Sequence, residues 1–327
     1  MVVVSDTHMG GVDPTSTFSL LGNRDRLRIV LALGDAGAPG EFGTLPFSEL
    51  QSRVGIDDNG NFNYHLDQLR GSFVDRTDGG YRLTLTGVYV YRSLRASPLT
   101  ETPEYDRLET DVTCPTCGVA KEVWTAEHRC LLGCPDCGTV DYRYPLPAGG
   151  RGRTDGPALA GALRERTVHD ANAMIRGFCP YCSGPVDCNP GTDPGVLPGG
   201  ARDRGADEPV TTLACEHCRW FLHANAAGML EGHPWVSAFL LDHGIDSHRQ
   251  DPWGEAEFTV DVRSEAPWRA LVRVHCEDVT LSLDLDGDLD VVEVERGSGP
   301  AVRRDREDEG TDDRRRGPAV TGRWSGV

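Results

Sequence analysis

The chain has 327 residues, a formal net charge of −18 and a sequence pI of about 4.9, so two or three domains are expected. It contains no apolar run long enough to cross a bilayer, and the apolar start at Met1 lacks the basic segment of a secretory signal. We therefore expect a cytoplasmic protein whose 11 cysteines are not a disulfide framework.

The composition resembles that of cytoplasmic proteins from salt-accumulating, halophilic archaea. Lys121 is the only lysine, arginine supplies the other basic side chains, and Asp and Glu are spread along the chain. Molar salt screens the repulsion among carboxylates, so a chain of this kind stays compact in it. The alternative interpretation is an ordinary acidic protein with a disordered tail.

An N-terminal domain is predicted at 17–97, after a flexible arm at 1–16. Apolar spacing predicts a helical segment from Phe18 to Asp35, a short helix over 47–54 and a third helix from 57 to about 70. The N-terminal domain is therefore expected to be mainly helical up to its third helix.

A hairpin and a closing helix complete this domain. Residues 73–76 and 81–85 alternate in polarity around a turn at 77–80, and 87–94 has helical spacing. The predicted order is helix, helix, helix, hairpin, helix.

The third helix is predicted to have one buried face and one polar face. Phe62, Leu66 and Leu69 lie at positions i, i+4 and i+7 and share the buried face, while His65 flanks it as a packing residue. Asn and Gln side chains are suited to bidentate contact with adenine in the major groove. The residues of this helix predicted to contact DNA are Asn61, Asn63, Tyr64 and Gln68.

The charged residues of the hairpin are also predicted to contact DNA. Arg76 and Arg82 flank its turn and are predicted to reach phosphate. Residues 18–95 contain nine arginines and nine carboxylates, so this segment is formally neutral within a chain of charge −18. A neutral segment of an acidic protein is where a polyanion could approach, although phosphate contacts weaken steeply with salt.

Two Cys-x-x-Cys pairs predict a zinc ribbon at 108–145. Each pair can aim two thiolates at one point, and zinc takes four of them in a tetrahedron. Gly118 and Gly138 follow the pairs and permit a positive φ. Cys130 is a competing ligand, and a redox dithiol is the alternative chemistry. The predicted ligands are Cys114, Cys117, Cys134 and Cys137.

A second quartet predicts another zinc site within a domain at 155–296. A helix over 155–178 precedes it, and a Pro/Gly-rich insertion at 189–209 separates its two pairs. Cys188 could replace a ligand, whereas Cys276 is expected to be a buried thiol. The predicted ligands are Cys179, Cys182, Cys215 and Cys218.

The end of the fold is predicted to be rich in β-structure. A helix at 235–243 precedes strands at 256–262, 268–275 and 279–295, and Asp286-Gly287 makes a hairpin turn within the last stretch. The acidic and arginine-rich tail at 297–327 is expected to be disordered.

No catalytic activity is expected. Four thiolates close a zinc site, whereas a catalytic zinc keeps one position open. Asp6 and His8, with Gly34-Asp35, are similar to the start of the metallophosphoesterase pattern, but the later Gly-Asn-His motif is missing.

The N-terminal motifs resemble those of ArsR-like winged helix-turn-helix regulators. The likeness is closer to haloarchaeal helix-turn-helix proteins that carry zinc-binding C-terminal halves. The matching segments are Phe18–Gly22, Arg26–Ile29, Phe47–Leu50, Gly60–Leu66 and Gly79–Thr84. The resemblance implies a DNA-binding domain and a homodimer.

The sequence therefore predicts an α+β protein: a winged helix-turn-helix, then a zinc ribbon and a second zinc-binding α/β domain with a β-rich end. The expected function is transcriptional regulation through double-stranded DNA, with Zn2+ in two structural sites. Two alternatives stay open. One is a scaffold that binds a protein partner through its zinc modules without binding DNA. The other is a regulator that responds to metal or redox state through Cys130, Cys188 or Cys276.

Overall fold

The computed structural model describes most of the chain between its two ends. The described residues are 14–37, 41–96, 104–126, 129–146, 148–151, 153, 155–192, 210–247, 251–298 and 324–326. The chain divides into two compact units, Met1–Glu101 and Thr102–Val327. All but the last three residues of the predicted arm at 1–16 lie outside the described residues, and those three begin the first helix.

The first unit follows the predicted order of elements. Its helices are α1 (Pro14–Leu21), α2 (Arg24–Gly34), α3 (Phe47–Val54), α4 (Asn59–Leu69) and α5 (Leu85–Ala96). Between α4 and α5, strands β1 (Val74–Thr77) and β2 (Gly80–Leu83) form an antiparallel hairpin.

Helix ends in the first unit follow from local capping. The helical segment expected from Phe18 to Asp35 is two helices, because Asn23 caps α2 by accepting hydrogen bonds from the N–H groups of Asp25 and Arg26. Gly55 ends α3 with φ of 75°, a left-handed conformation that glycine adopts without strain. Asp58 caps α4 through the N–H of Asn61.

The core of the first unit lies where α2, α3 and α4 meet the hairpin. Ile29, Leu50 and Leu66 represent the three helices in it, and Tyr81 and Leu83 represent β2. The backbones of Leu45 and Tyr81 exchange two hydrogen bonds of 2.9 Å, which fix the hairpin against the start of α3.

The described residues of the second unit form two sheets. The larger has eight strands in the order β3-β4-β5-β6-β14-β9-β8-β7, and the smaller is the meander β10-β11-β12-β13. The larger sheet comprises β3 (Leu108–Thr113), β4 (Ala120–Ala126), β5 (Arg129–Gly133), β6 (Val140–Tyr144), β7 (Val186–Thr192), β8 (Val210–Cys215), β9 (Phe221–Ala224) and β14 (Trp324–Gly326). The smaller comprises β10 (Glu257–Glu265), β11 (Trp268–Cys276), β12 (Val279–Leu285) and β13 (Val291–Ser298).

Four helices of the described residues accompany these sheets. They are α6 (Ala148–Arg151), α7 (Gly156–Ile175), α8 (Ala226–Met229) and α9 (Pro234–Asp242). Asp155 caps α7 by accepting a hydrogen bond from the N–H of Ala158, so the long helix expected over 155–178 is shorter at both ends. None of the helices in the described part of the chain is both long enough and apolar enough to cross a membrane.

The segments predicted as a zinc ribbon at 108–145 and a separate domain at 155–296 share one hydrophobic core. Tyr142 of β6, Leu163 of α7, Leu222 of β9 and Val272 of β11 all belong to it. The expected boundary between the two segments is therefore not a boundary in the packing, because each segment alone would leave its apolar face exposed.

The predicted tail and insertion both begin inside strands. Strand β13 continues through Ser298, and Trp324–Gly326 form β14, which pairs parallel with β6 and antiparallel with β9. Residues 299–323 of the predicted tail lie outside the described residues. The first four residues of the insertion expected at 189–209 belong to β7, and the rest of it up to 209 also lies outside the described residues.

Candidate metal centres and nucleic-acid interface

The first cysteine quartet comes together between two strand turns. Cys114 and Cys117 lie in the turn from β3 to β4, and Cys134 and Cys137 lie in the turn from β5 to β6. The Sγ atoms of Cys114 and Cys137 are 3.5 Å apart, and those of Cys117 and Cys134 are 3.3 Å apart. All four Sγ atoms lie within 4.8 Å of one another.

The second quartet comes together in the same way. Cys179 and Cys182 follow α7, and Cys215 and Cys218 lie in the turn from β8 to β9. Their Sγ atoms form pairs at 3.6 Å (Cys179 and Cys218) and 3.5 Å (Cys182 and Cys215). All four again lie within 4.8 Å of one another.

All four cysteine turns share one backbone hydrogen-bond pattern. In the turn at Cys114, the N–H of Gly118 donates to the Cys114 carbonyl at 2.9 Å, and the Cys114 N–H donates to the Val119 carbonyl at 2.9 Å. The turns that begin at Cys134, Cys179 and Cys215 make the same two bonds with the residues four and five positions later. The chain thus contains one local turn four times, used in two pairs.

The residue after each second cysteine adopts a left-handed conformation. Gly118 and Gly138 have φ of 75° and 68°, as their sequence positions predicted. In the second quartet the same position is occupied by Ser183 (φ of 60°) and Arg219 (φ of 64°). The sequence analysis did not predict a left-handed conformation at either of these two residues.

Both quartets fit a tetrahedral thiolate metal ion. Four sulfurs about 2.3 Å from a central zinc lie about 3.8 Å apart, which is close to the separations found in each cluster. Backbone donation from Cys218 lowers the pKa of Cys215 to about 6, whereas burial raises the pKa of Cys218 to about 12, so metal binding to this quartet would release protons. Each cluster is able to hold a metal ion, and its four thiolates leave no place for a further protein ligand.

The remaining three cysteines lie in strands away from the clusters. Cys130 is fully buried in β5, Cys188 lies in β7 and Cys276 is buried in β11. Burial raises the pKa of Cys188 to about 12 and that of Cys276 to about 11. Among the described residues, none of the three joins a metal-binding group.

Helix α4 buries one face and exposes the other. Phe62, Leu66 and Leu69 are fully buried, and His65 is buried beside them with its Nε2 3.9 Å from Oδ2 of Asp25. The four residues predicted to contact DNA are all exposed: Asn61, Asn63, Tyr64 and Gln68. The side chain of Tyr64 is among the most exposed large side chains, because 58% of the residue's surface is accessible to solvent.

Polar side chains on the outer face of α4 hold one another in place. Nδ2 of Asn63 donates to Oδ2 of Asp67 at 3.2 Å, and Nη1 of Arg70 donates to Oδ1 of Asp67 at 3.0 Å. The negative charge of Asp67 is therefore partly compensated, and Asn63 keeps its carbonyl oxygen available as an acceptor.

The two hairpin arginines are exposed on opposite faces. Arg76 lies opposite Tyr81 and Arg82 lies opposite Asp75 in the β1–β2 register. Because neighbouring positions alternate across a strand, Arg76 shares the face of the buried Tyr81, whereas Arg82 lies on the outer face beside a carboxylate. A single flat partner surface therefore cannot contact both arginines from the same side of the hairpin.

The residues that are similar to the metallophosphoesterase pattern do not form a site among the described residues. Asp35 accepts hydrogen bonds from Tyr91 and Arg95, which accounts for its position after α2. Asp6 and His8 lie outside the described residues.

A buried charge network in the second unit was missed by sequence reasoning. Lys121 is 1% exposed, with Nζ 3.0 Å from Oδ2 of Asp141 and 3.2 Å from Oδ2 of Asp251. Beside it, Oε2 of the buried Glu231 accepts hydrogen bonds from Tyr142 at 2.8 Å and Trp253 at 3.1 Å. The only sequence signal was that Lys121 is the sole lysine of the chain.

The fold and the two clusters define a mixed α+β protein with several sheets and two four-cysteine groups able to hold metal. The domain of unknown function DUF7351 matches residues 111–291, more than half of the chain, and the protein belongs to this family. Residues 14–94 match another domain of unknown function, DUF7347. No curated protein and no solved structure gives a match.

Proposed function

We propose that the protein is a cytoplasmic, DNA-binding transcriptional regulator of the ArsR-like winged helix-turn-helix type. The observation that carries the proposal is the division of α4 between a buried apolar face and an exposed face with two asparagines, a tyrosine and a glutamine. A helix of this kind presents donors and acceptors to base edges while its scaffold holds it rigid.

In this proposal α4 enters the major groove and the hairpin lies along the phosphate backbone. Asn63 and Gln68 read base edges, and Arg82 on the outer face of β2 meets phosphate. Arg76, on the other face, meets phosphate only where the backbone curves around the hairpin tip. The Asp67–Arg70 pair keeps the outer face of α4 from repelling the backbone.

Salt shifts the balance between these contacts. At molar salt, the release of counterions from DNA adds little to the binding free energy, so the two hairpin arginines contribute little affinity under those conditions. Base contacts from α4 and the shape of the groove must carry more of the binding. A regulator of this kind is expected to be selective among sequences in high salt and weakly attracted to random DNA.

The two four-cysteine clusters are proposed as structural Zn2+ sites. Each cluster joins two turns that are far apart in sequence, 114–117 with 134–137 and 179–182 with 215–218. A metal ion bound by four thiolates supplies folding free energy to the segments that it joins. Zinc therefore stabilises the larger sheet at both of its outer parts.

A second copy of the chain is proposed as a partner. Phe18, Leu85 and Tyr89 expose more than half of their surfaces on α1 and α5 of the first unit. Where such side chains form a contiguous patch, the patch marks a surface that another protein covers. A homodimer would also place two copies of α4 on two half-sites of DNA.

Selection of genomic DNA by the full-length protein in high potassium chloride tests the proposed function. The expected result is enrichment of a few fragments that share a short, partly palindromic sequence. Enrichment of no fragment over random DNA, with the zinc content intact, would contradict DNA binding.

A second candidate function is a docking scaffold that binds a protein partner. Phe178 and Tyr181 are exposed next to the second cluster, and Tyr181 stacks on Trp220 with ring centroids 6.0 Å apart. Exposed aromatic residues are common at protein interfaces. Under this alternative, Tyr181→Ala abolishes capture of a partner while the protein selects no DNA.

Redox sensing by the spare cysteines receives less support. Thiolates are the reactive species, and burial raises the pKa of both Cys188 and Cys276. Cys130 has no exposed surface.

A further inference from the structure

The second unit contains a cavity of about 310 Å³ beside the first cysteine turn, whose Pro115 lines it. Its walls come from the end of β3, the first turns of α7 and the turn at 251–255. This volume is at the lower end of the range for small-molecule sites. The cavity is therefore large enough for a small metabolite.

Small residues on α7 leave this space open. Pro157, Ala160 and Gly161 line the cavity and share one face of the helix with Arg164. A Cβ atom added at Gly161 would meet nothing within 4 Å. The side chain of Arg164 is thus the largest group that this face of α7 offers to the cavity.

Arg164 is buried and forms an ion pair with the buried Glu231. Its side chain is 7% exposed, and its nearest carboxylates are Glu231 at 3.6 Å from Nε and Glu165 at 3.7 Å from Nη2. Its Nε is fully enclosed and faces Oε1 of Glu231, and within the described residues no hydrogen bond from its two Nη atoms is found. A guanidinium has five N–H donors, and buried donors are nearly always satisfied. A ligand with carboxylate oxygens would satisfy those that face the cavity.

Asp251, the other buried charged residue on the cavity wall, is already engaged. Its Oδ2 accepts from Nζ of Lys121 at 3.2 Å, and its Oδ1 accepts from the N–H of Trp253 at 3.1 Å. Lys121 compensates the charge of Asp251, and Glu231 compensates that of Arg164, so recognition of a ligand carboxylate depends on the Nη donors of Arg164 and not on an excess of positive charge.

Two further carboxylates lie at the exposed side of the cavity. Asp111 and Glu255 both line it and are exposed to solvent. They would repel a dianion such as phosphate and attract an ammonium group. The cavity therefore combines an enclosed cation with exposed anions.

We propose that this cavity binds a small zwitterion of the amino-acid class. Its carboxylate pairs with Arg164, and its ammonium group faces Asp111 and Glu255. The inference is independent of DNA binding, because the cavity lies wholly within the second unit. Burial of Arg164 limits screening by salt, so binding persists in concentrated potassium chloride.

The test measures the thermal unfolding midpoint of the zinc-loaded full-length protein in potassium chloride, with each common L-amino acid in turn. At least one amino acid is expected to raise the midpoint in proportion to the logarithm of its concentration. Its amide, which lacks the carboxylate, and its N-acetyl derivative, which lacks the ammonium group, are expected to produce no shift. The proposal is overturned if no amino acid raises the midpoint, or if either derivative raises it equally.

Gly161→Leu tests the location of the site without removing a buried charge. The leucine side chain fills the open space in front of Gly161, so the shift produced by the amino acid is expected to disappear. His169→Leu places the same side chain at an exposed position of α7 that does not line the cavity, and it should keep the shift. A folded Gly161→Leu protein that retains the full shift would overturn the assignment. Arg164→Gln is less suitable, because it removes the cation 3.6 Å from the buried Glu231.

Discussion

At the scale of single residues, the clearest feature is the burial of the only lysine. Nζ of Lys121 lies between two carboxylates, one of them 130 positions later in the chain. Burial lowers its pKa, but Asp251 and Asp141 outweigh that effect and hold the pKa above its usual value. Because the folded pKa is raised, the ion group is intact below the pKa of an unfolded lysine and is lost only at strongly alkaline pH.

Removing the lysine charge is expected to destabilise the second unit strongly. Lys121→Met removes the cation that pairs with the buried carboxylates of Asp141 and Asp251, which costs about 3–5 kcal/mol. The free energy of unfolding from urea titration in potassium chloride measures this loss. Arg219→Met, at an exposed position, should change it by less than about 0.5 kcal/mol. A similar small change for both variants would show that the lysine does not hold the two carboxylates together.

The buried thiols give stability a defined pH dependence. The pKa of Cys188 is raised to about 12 and that of Cys276 to about 11, whereas unfolded thiols ionise near 9. Above pH 9 the unfolded chain releases these protons and the folded chain keeps them, so stability falls as pH rises. The double variant Cys188→Ala, Cys276→Ala is expected to flatten this decline in stability between about pH 9 and about pH 11. An unchanged slope would mean that both thiols ionise normally in the folded protein.

At the scale of elements, the four cysteine turns show what local sequence can and cannot predict. The Cys-x-x-Cys spacing identified all eight residues of the two clusters, because each turn is defined by a few neighbouring residues. The left-handed residue was found where it is glycine and missed where it is Ser183 or Arg219. A serine carries no local signal for positive φ, since the hydrogen bonds of the turn impose that conformation.

Two substitutions at equivalent positions of these turns, Gly118→Ala and Ser183→Gly, are expected to have opposite effects on stability. Gly118→Ala introduces a Cβ into a left-handed position with nothing within 4 Å, so backbone strain alone should cost about 1–2 kcal/mol. Ser183→Gly removes that strain and should be neutral or stabilising. The thermal unfolding midpoint of each zinc-loaded variant, relative to that of the wild type, measures these two effects. Equal destabilisation by both variants would show that strain does not govern these turns.

At the scale of the whole molecule, periodicity predicted the elements of the first unit well and the assembly of the second unit poorly. Helix α4 was predictable because its apolar residues recur within eleven positions. The merging of the expected ribbon with the second domain was not, because it depends on a shared core and on β14 lying between β6 and β9. Pairing between residues 142 and 324 leaves no pattern in either segment.

One core with two metal clusters makes a prediction about metal removal. Chelation should unfold the second unit, because each cluster joins distant segments of the same sheet, while the first unit should persist, since neither cluster lies in it. Hydrogen exchange read by mass spectrometry should show lost protection over 104–298 and retained protection over 14–96. Retained protection in both units after complete metal removal would show that the clusters are not structural.

The central claim is that the outer face of α4 reads DNA, and its most direct test is the affinity for a selected DNA sequence relative to a scrambled one. Asn63→Ala should reduce that selectivity by about 1–3 kcal/mol without changing the unfolding midpoint. Asn189→Ala is the matched control. Asn189 lies in the second unit, is exposed, and donates a hydrogen bond to a neighbouring aspartate as Asn63 does. Its selectivity should stay at the wild-type value. Unchanged selectivity in Asn63→Ala and Asn189→Ala alike, or a wild-type protein with none, would contradict the claim.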